Sequence, residues 1–203
     1  MNSKKIYIAL VAFFVLHQIQ AQVTFKPGLR AGVSFSTFSQ TRSSYKPDFY
    51  IGGFGEIKLT KVYTLQPEIT FSQQGSNNVK TFINYNGVNT IQSRDLEIDY
   101  LSIAMINKFT FNGGFQFQVG PTLDFRLRDN LLYVNSDVDL AFVTGIAYRL
   151  PSGLTFEARF KKGLIDVLNS DYYGSNGNNQ DYWFGDYNTN VSFQLGISYP
   201  FGK

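Results

Sequence analysis

The chain contains no cysteine. No disulfide framework, thiolate metal site or thiol nucleophile is open to it. Its single histidine, His17, falls in an N-terminal segment with the marks of a secretory leader. Without that segment the protein holds neither residue type, which leaves out Ser-His-Asp and Cys-His catalysis and imidazole ligation of metals. Beyond the leader, no stretch is apolar enough for a membrane-spanning helix. Charge is not one-sided either, with 18 Lys and Arg against 15 Asp and Glu, of which Lys4 and Lys5 belong to the leader. A nucleic-acid partner is therefore not expected.

The leader reads as follows. Lys4 and Lys5 give a positive start, Ile6 to Leu16 is an unbroken apolar run of 11 residues, and the chain then turns polar up to the small Ala21. That run is too short to span a bilayer, which needs ~20 residues, and it matches a secretory h-region. Cleavage is expected after Ala21, dividing the chain into a signal peptide, 1–21, and one domain, 22–203. No cysteine follows the leader, so a lipid anchor on an N-terminal cysteine is excluded.

What is abundant is aromatic residues and glycine: 20 Phe, 13 Tyr and 18 Gly. Aromatic side chains suit a pleated surface, and alternation with a period of two recurs along the chain. Leu29, Ala31, Val33 and Phe35 alternate with Arg30, Gly32, Ser34 and Ser36. Tyr63, Leu65, Pro67, Ile69 and Phe71 alternate with Thr64, Gln66, Glu68, Thr70 and Ser72. Similar segments fall near 49–60, 96–109, 115–126, 138–148, 154–161 and 190–201, which makes eight strands in all. Most are about ten residues, the length of a tilted membrane-crossing strand. Pro67 and Pro121 interrupt the pattern, and Ile106 sits on the wrong face of its strand. A β-bulge is expected at each.

Alternation alone does not say which face meets what, and a soluble lipocalin-like barrel alternates as well. Three features favour a membrane barrel. Short connections (60–62, 110–114, 151–153) alternate strictly with long ones (near 39–48, 74–94, 128–137, 165–189). The polar face mixes Gly, Ser and Gln with both signs of charge, unlike a water-facing surface. Aromatics mark strand ends at Phe35, Tyr63, Phe125, Tyr148, Phe160, Tyr199 and Phe201, as interfacial girdles require. A sheet in lipid must close. The expectation is an all-β, eight-stranded antiparallel up-and-down transmembrane barrel, monomeric, in outer-membrane lipid. Its interior would be filled by a structural charge network of Arg30, Glu56, Lys58, Glu68, Asp124, Arg149, Glu157, Arg159 and Lys161.

Several short motifs resemble the PorT-like outer-membrane β-barrel family of Bacteroidota. They are Leu65-Gln66-Pro67-Glu68-Ile69 with Ser72-Gln73-Gln74-Gly75, Tyr100-Leu101-Ser102-Ile103 leading to Lys108, Gly120-Pro121, Thr144-Gly145-Ile146-Ala147-Tyr148, and Glu157-Ala158-Arg159-Phe160 with Gly163-Leu164. They run through the second to seventh strands; Ala104 departs from the pattern, where proline would be expected. The resemblance implies the same barrel and, for the member that names the family, an association with a protein-secretion system.

Neither a catalytic residue nor a cofactor or metal site is assigned. Carboxylate-only catalysis by Glu56, Glu68, Asp124 and Glu157 is weighed against structural pairing with the basic residues, and pairing is preferred. The 165–189 connection carries Asp166, Asp171, Asp181 and Asp186 in no spacing known for a Ca²⁺ loop. Its aromatics Tyr172, Tyr173, Tyr182, Trp183, Phe184 and Tyr187 would suit a protein or glycan partner, a cap on the barrel mouth, or lipid headgroups. Three functions remain open: a non-enzymatic structural, scaffold or partner-binding barrel; a narrow channel or small-solute binder; and an accessory subunit of an export machine.

Overall fold

The computed structural model describes residues 24–39, 43–85, 88–131, 136–165 and 189–202. Both the leader and the aromatics of the 165–189 connection lie outside the described residues. Eight strands appear in chain order: β1 (Thr24–Phe38), β2 (Ser44–Lys58), β3 (Tyr63–Tyr85), β4 (Val88–Thr110), β5 (Phe115–Asp129), β6 (Val138–Arg149), β7 (Thr155–Gly163) and β8 (Asn190–Pro200). Each pairs antiparallel with its neighbour, and β8 returns to β1 from Gly28↔Pro200 to Phe38↔Asn190. The sheet is a closed barrel with no open edge along its wall.

The alternation resolves into two surfaces. Leu29, Ile69, Phe117 and Leu195 point outward and are 56%, 52%, 39% and 41% exposed. Arg30, Glu68 and Arg159 point inward and are 4%, 4% and 2% exposed. This inverts a water-soluble protein, in which large apolar side chains are the buried ones.

Three expectations are corrected by the pairing. Pro67 causes no bulge: β2–β3 and β3–β4 keep one register on either side of it, with Phe54↔Glu68, Ile57↔Leu65 and Pro67↔Met105. Pro121 behaves alike, with Pro121↔Phe142 in register. Each proline pairs on one side, while the opposite ladder skips its position, so the missing N–H costs one link rather than a shift. Ile106 is likewise in register. It faces the interior, fully buried, and packs with Ala104 and Val143.

The expected long connection at 74–94 is not a loop. β3 and β4 continue as a paired hairpin to Tyr85↔Val88, and Asn86-Gly87 separates the two strands. Asn-Gly is the preferred two-residue hairpin turn, and its strand context was readable in Val79 to Ile83 and Val88 to Ile91. A register shift between Ser76 and Val79 marks the base of this hairpin. There Asn78 adopts φ 59° and donates its N–H to Asp95 Oδ1 at 2.8 Å. Asparagine tolerates that left-handed conformation better than most residues.

Candidate functional site in the barrel lumen

Inward positions on β1, β3 and β7 bring distant charges to one level of the barrel, with neutral partners from β2, β3, β5 and β8. Arg159 donates to Glu68 through both terminal nitrogens, at 2.8 Å to Oε2 and 2.9 Å to Oε1, in a two-bond fork. Its Nε donates to Gln118 Oε1 at 2.7 Å, and its Nη2 lies 3.3 Å from Glu157 Oε2. Arg30 bridges the same two carboxylates, 3.1 Å from Glu68 and 3.4 Å from Glu157, and stacks 4.6 Å above the Tyr50 ring. Gln66 donates to Glu68 at 2.6 Å, and Ser198 donates to Glu157 at 2.7 Å. Two guanidinium groups therefore clamp two glutamates, and Gln66, Gln118 and Ser198 add neutral hydrogen bonds to the cluster.

Toward the short-turn end, Glu56 pairs with Arg149 and lies 3.5 Å from Lys108. Lys108 also lies 3.8 Å from Glu157 and faces the Phe54 ring at 5.5 Å. Toward the long-loop end, Lys161 is 2.5 Å from Asp124, which also accepts from Thr122 at 3.0 Å. Asp139 stands directly opposite Asp124 across β5–β6. It is 2% exposed and forms no ion pair among the described residues; its Oδ1 accepts the Ile165 N–H at 3.4 Å.

Between the rims, Arg30, Lys108, Arg149, Arg159 and Lys161 face Glu56, Glu68, Asp124, Asp139 and Glu157. That balance matters because an unpaired buried charge costs several kcal/mol, on the order of 3–5 when one partner of a pair is removed. Lys58, expected in this network, is not part of it. It is exposed on the end residue of β2, paired in the sheet with Thr24 and Thr64 at the short-turn rim. Strand parity had the right face, but the position lies at the rim, where an inward side chain meets solvent. Lys108 was not named in the network, although it shares its face with Ser102 and Ala104. Ile106 on the same face had obscured that parity. Asp139 was missed because it sits at the strand's second residue, where face and loop are hard to tell apart.

Above the ions lies a feature without a polar signature. Phe38, Val79, Leu96, Ile98 and Tyr100 form a buried apolar cluster inside the long-loop mouth, with Leu131 packed against it. At the level of Arg30, Glu68 and Arg159 only a cavity of about 20 Å³ remains, roughly the room one water needs.

The family profile described as the outer membrane protein beta-barrel domain matches residues 6–201. The chain belongs to this outer-membrane β-barrel family. It is accordingly an outer-membrane protein, and the exposed apolar belt is its lipid-facing surface. Neisserial surface protein A shares the fold, with 13% identity, a TM-score of 0.51, and coverage of 87% of this chain and 97% of that one. OprG from Pseudomonas aeruginosa is 11% identical with a TM-score of 0.48, covering 89% of this chain and 98% of that one. Ail from Yersinia pestis is 10% identical with a TM-score of 0.47, covering 87% and 98%... no curated protein sequence matches the chain. In barrels of this family type the short turns are periplasmic and the long connections face outward. The apolar cluster thus sits at the outer mouth, and Glu56, Lys108 and Arg149 sit toward the periplasm.

Proposed function

We propose that this protein is a closed, non-conducting barrel with a structural or partner-presenting role in the outer membrane, and not an enzyme. One observation carries the reading: the lumen is filled at the level where Arg30 and Arg159 clamp Glu68 and Glu157. An ion crossing there would have to displace a charge-assisted hydrogen bond, and the Phe38–Leu96–Ile98 cluster adds an apolar barrier above it. Glu56, Glu68, Asp124 and Glu157, the carboxylates weighed for acid-base chemistry, are engaged with basic side chains, which supports pairing over catalysis at these four. The test is conductance across planar bilayers holding the purified barrel. No steady openings are expected, and large sustained ones would refute the closed reading.

The motifs resembling PorT-like proteins suggest a finer role, as an accessory to an export machine. Co-purification in mild detergent with a tag on the outer side would reveal a stable machine, and a barrel recovered alone would count against it. Within the same reading, residues 1–21 are a leader removed on export, so the mature N-terminus is Gln22. N-terminal sequencing of protein taken from the outer membrane reads that directly.

A further inference from the structure

The two ends of the barrel treat charge differently. At the outer end opposite charges meet: Lys46 lies 2.6 Å from Asp48, Arg126 3.1 Å from Asp129 and Arg128 2.9 Å from Asp99. At the periplasmic end they do not. Lys26 and Lys58 hold inward positions on β1 and β2, and Lys61 lies in the turn between β2 and β3. Lys58 and Lys61 are exposed, Lys26 is half-buried, and none of the three has an ion pair among the described residues.

Just inside them, Arg149 reaches from β6 across the lumen to Glu56 on β2, the opposite strand of the ring. Lys108 on β4 approaches the same carboxylate at 3.5 Å. Glu56 thus serves two cations, while Lys26 stands next to it in register on β1. The other carboxylate near Lys108, Glu157 at 3.8 Å, is already held by Arg30 and Arg159. Lys58, Thr64 and Lys108 form one row across β2, β3 and β4. At ~4.8 Å per strand the backbones of the two lysines are about 10 Å apart, a separation that physiological salt screens only in part.

The rest of the chain brings no carboxylate side chain to this end. Residues 1–23 and 203, which flank β1 and β8 here, include no aspartate or glutamate. Asp166, Asp171, Asp181 and Asp186 belong to the β7–β8 connection, at the outer end. Of the 15 acidic residues in the sequence, only Glu56 belongs to the periplasmic mouth.

Like charges gathered in a recess focus their field and draw in anions. The clamp of Arg30 and Arg159 on Glu68 and Glu157 floors this recess, so an anion that enters docks and does not pass. Lipid headgroups surround the outside of the wall, whereas Lys26 and Lys58 share the inward parity of Glu56. The occupant therefore comes along the barrel axis from the periplasm. Ammonium groups act as point charges on flexible stems and accept carboxylates from many directions, which suits a mobile acidic chain. We infer that the periplasmic mouth, ringed by Lys26, Lys58, Lys61 and Arg149, is a docking site for an acidic, Asp- and Glu-rich segment of a periplasmic protein.

The site deepens the partner-presenting reading above and rests on it. The test uses the full barrel in nanodiscs of zwitterionic lipid, with fluorescent oligoglutamate as probe. Saturable binding that weakens with salt is expected. A carbodiimide, which joins carboxylates to amines, should link the probe to Lys26, Lys58 and Lys61. Lys26→Gln, Lys58→Gln and Lys61→Gln together leave the lumen network intact, so the barrel should fold and bind the probe about tenfold more weakly. Arginine at the same three positions should restore binding. Lys80→Gln, Arg94→Gln and Arg128→Gln remove the same charge at the outer end and should change nothing. Absence of saturable binding, binding indifferent to the three periplasmic lysines, or cross-links confined to Lys46, Lys80 and Lys162 overturns the inference. Enrichment of phosphatidylglycerol around the barrel through the same lysines, with no oligoglutamate bound, also overturns it by assigning the rim to lipid headgroups. Failed probe binding with conductance still absent removes this inference alone. Sustained conductance with probe binding intact removes the closed-barrel reading alone.

Discussion

Arg159 engages Glu68, Glu157 and Gln118 from a position 2% exposed. Replacing it by methionine keeps bulk but leaves two carboxylates with one guanidinium between them. Arg159→Met should destabilise the barrel by about 3–5 kcal/mol, read as a lower urea midpoint in lipid vesicles. Lys58→Ala, at the rim, should leave that midpoint unmoved. Asp139 makes the opposite case. It is buried across from Asp124 without an ion pair among the described residues, so its charge is compensated only in part, by backbone N–H groups and the more distant Lys161. Asp139→Asn keeps the shape and removes the charge, and should raise the urea midpoint; a drop would mean that the carboxylate holds a cation or is needed by its neighbours. Gly196 answers to sterics instead. It faces Gly32 across β1–β8, and a Cβ there would lie 2.1 Å from the Tyr50 hydroxyl and 2.4 Å from Ala31 O. Gly196→Leu would drive Tyr50 from under Arg30 and should abolish folding, seen as loss of compact migration in unheated gels.

At the scale of the strand, outward positions answer to lipid and inward ones to the lumen. Ile69 and Ile103 face each other across β3–β4 and point outward, 52% and 50% exposed. Ile69→Arg should cost about 2–4 kcal/mol if the position lies near the bilayer midplane, measured by reversible unfolding in vesicles. A value near zero would contradict a lipid-facing belt there. The prolines show how much a strand tolerates. Pro67 and Pro121 each remove one donor, yet the ladders on their other side run through unshifted, so local propensity yields to closure of the sheet. The hairpin shows the reverse. Asn77-Asn78 breaks the register because Asn78 can adopt positive φ, and the two strands then continue away from the barrel wall with strong strand formers on both.

For the whole molecule, closure is what makes the chemistry coherent. Glu68 and Arg159 are 91 residues apart, and Arg30 and Glu157 are 127 apart. They meet because eight strands of fixed order curl until β8 reaches β1. An eight-stranded barrel has little more interior than its own side chains occupy, which agrees with a remaining cavity of about 20 Å³.

Much of this was legible in one dimension. Period-two alternation settles which residues share a face, because the pleat allows no other arrangement. Although the expected alternation of short and long connections does not hold at 74–94, where β3 and β4 stay paired to Tyr85↔Val88, strand number follows from the same pattern. Hence Arg30, Glu56, Glu68, Asp124, Arg149, Glu157, Arg159 and Lys161 were all assignable to one surface. What the pattern could not contain is depth. Parity does not tell a mid-lumen lysine from one at the rim, which is why Lys58 was misplaced and Lys108 passed over. Nor does it reveal that Phe38, Leu96 and Ile98 come from strands far apart in sequence to close one mouth. Depth and partnership depend on the stagger between strands, a property of the closed sheet and not of any single segment.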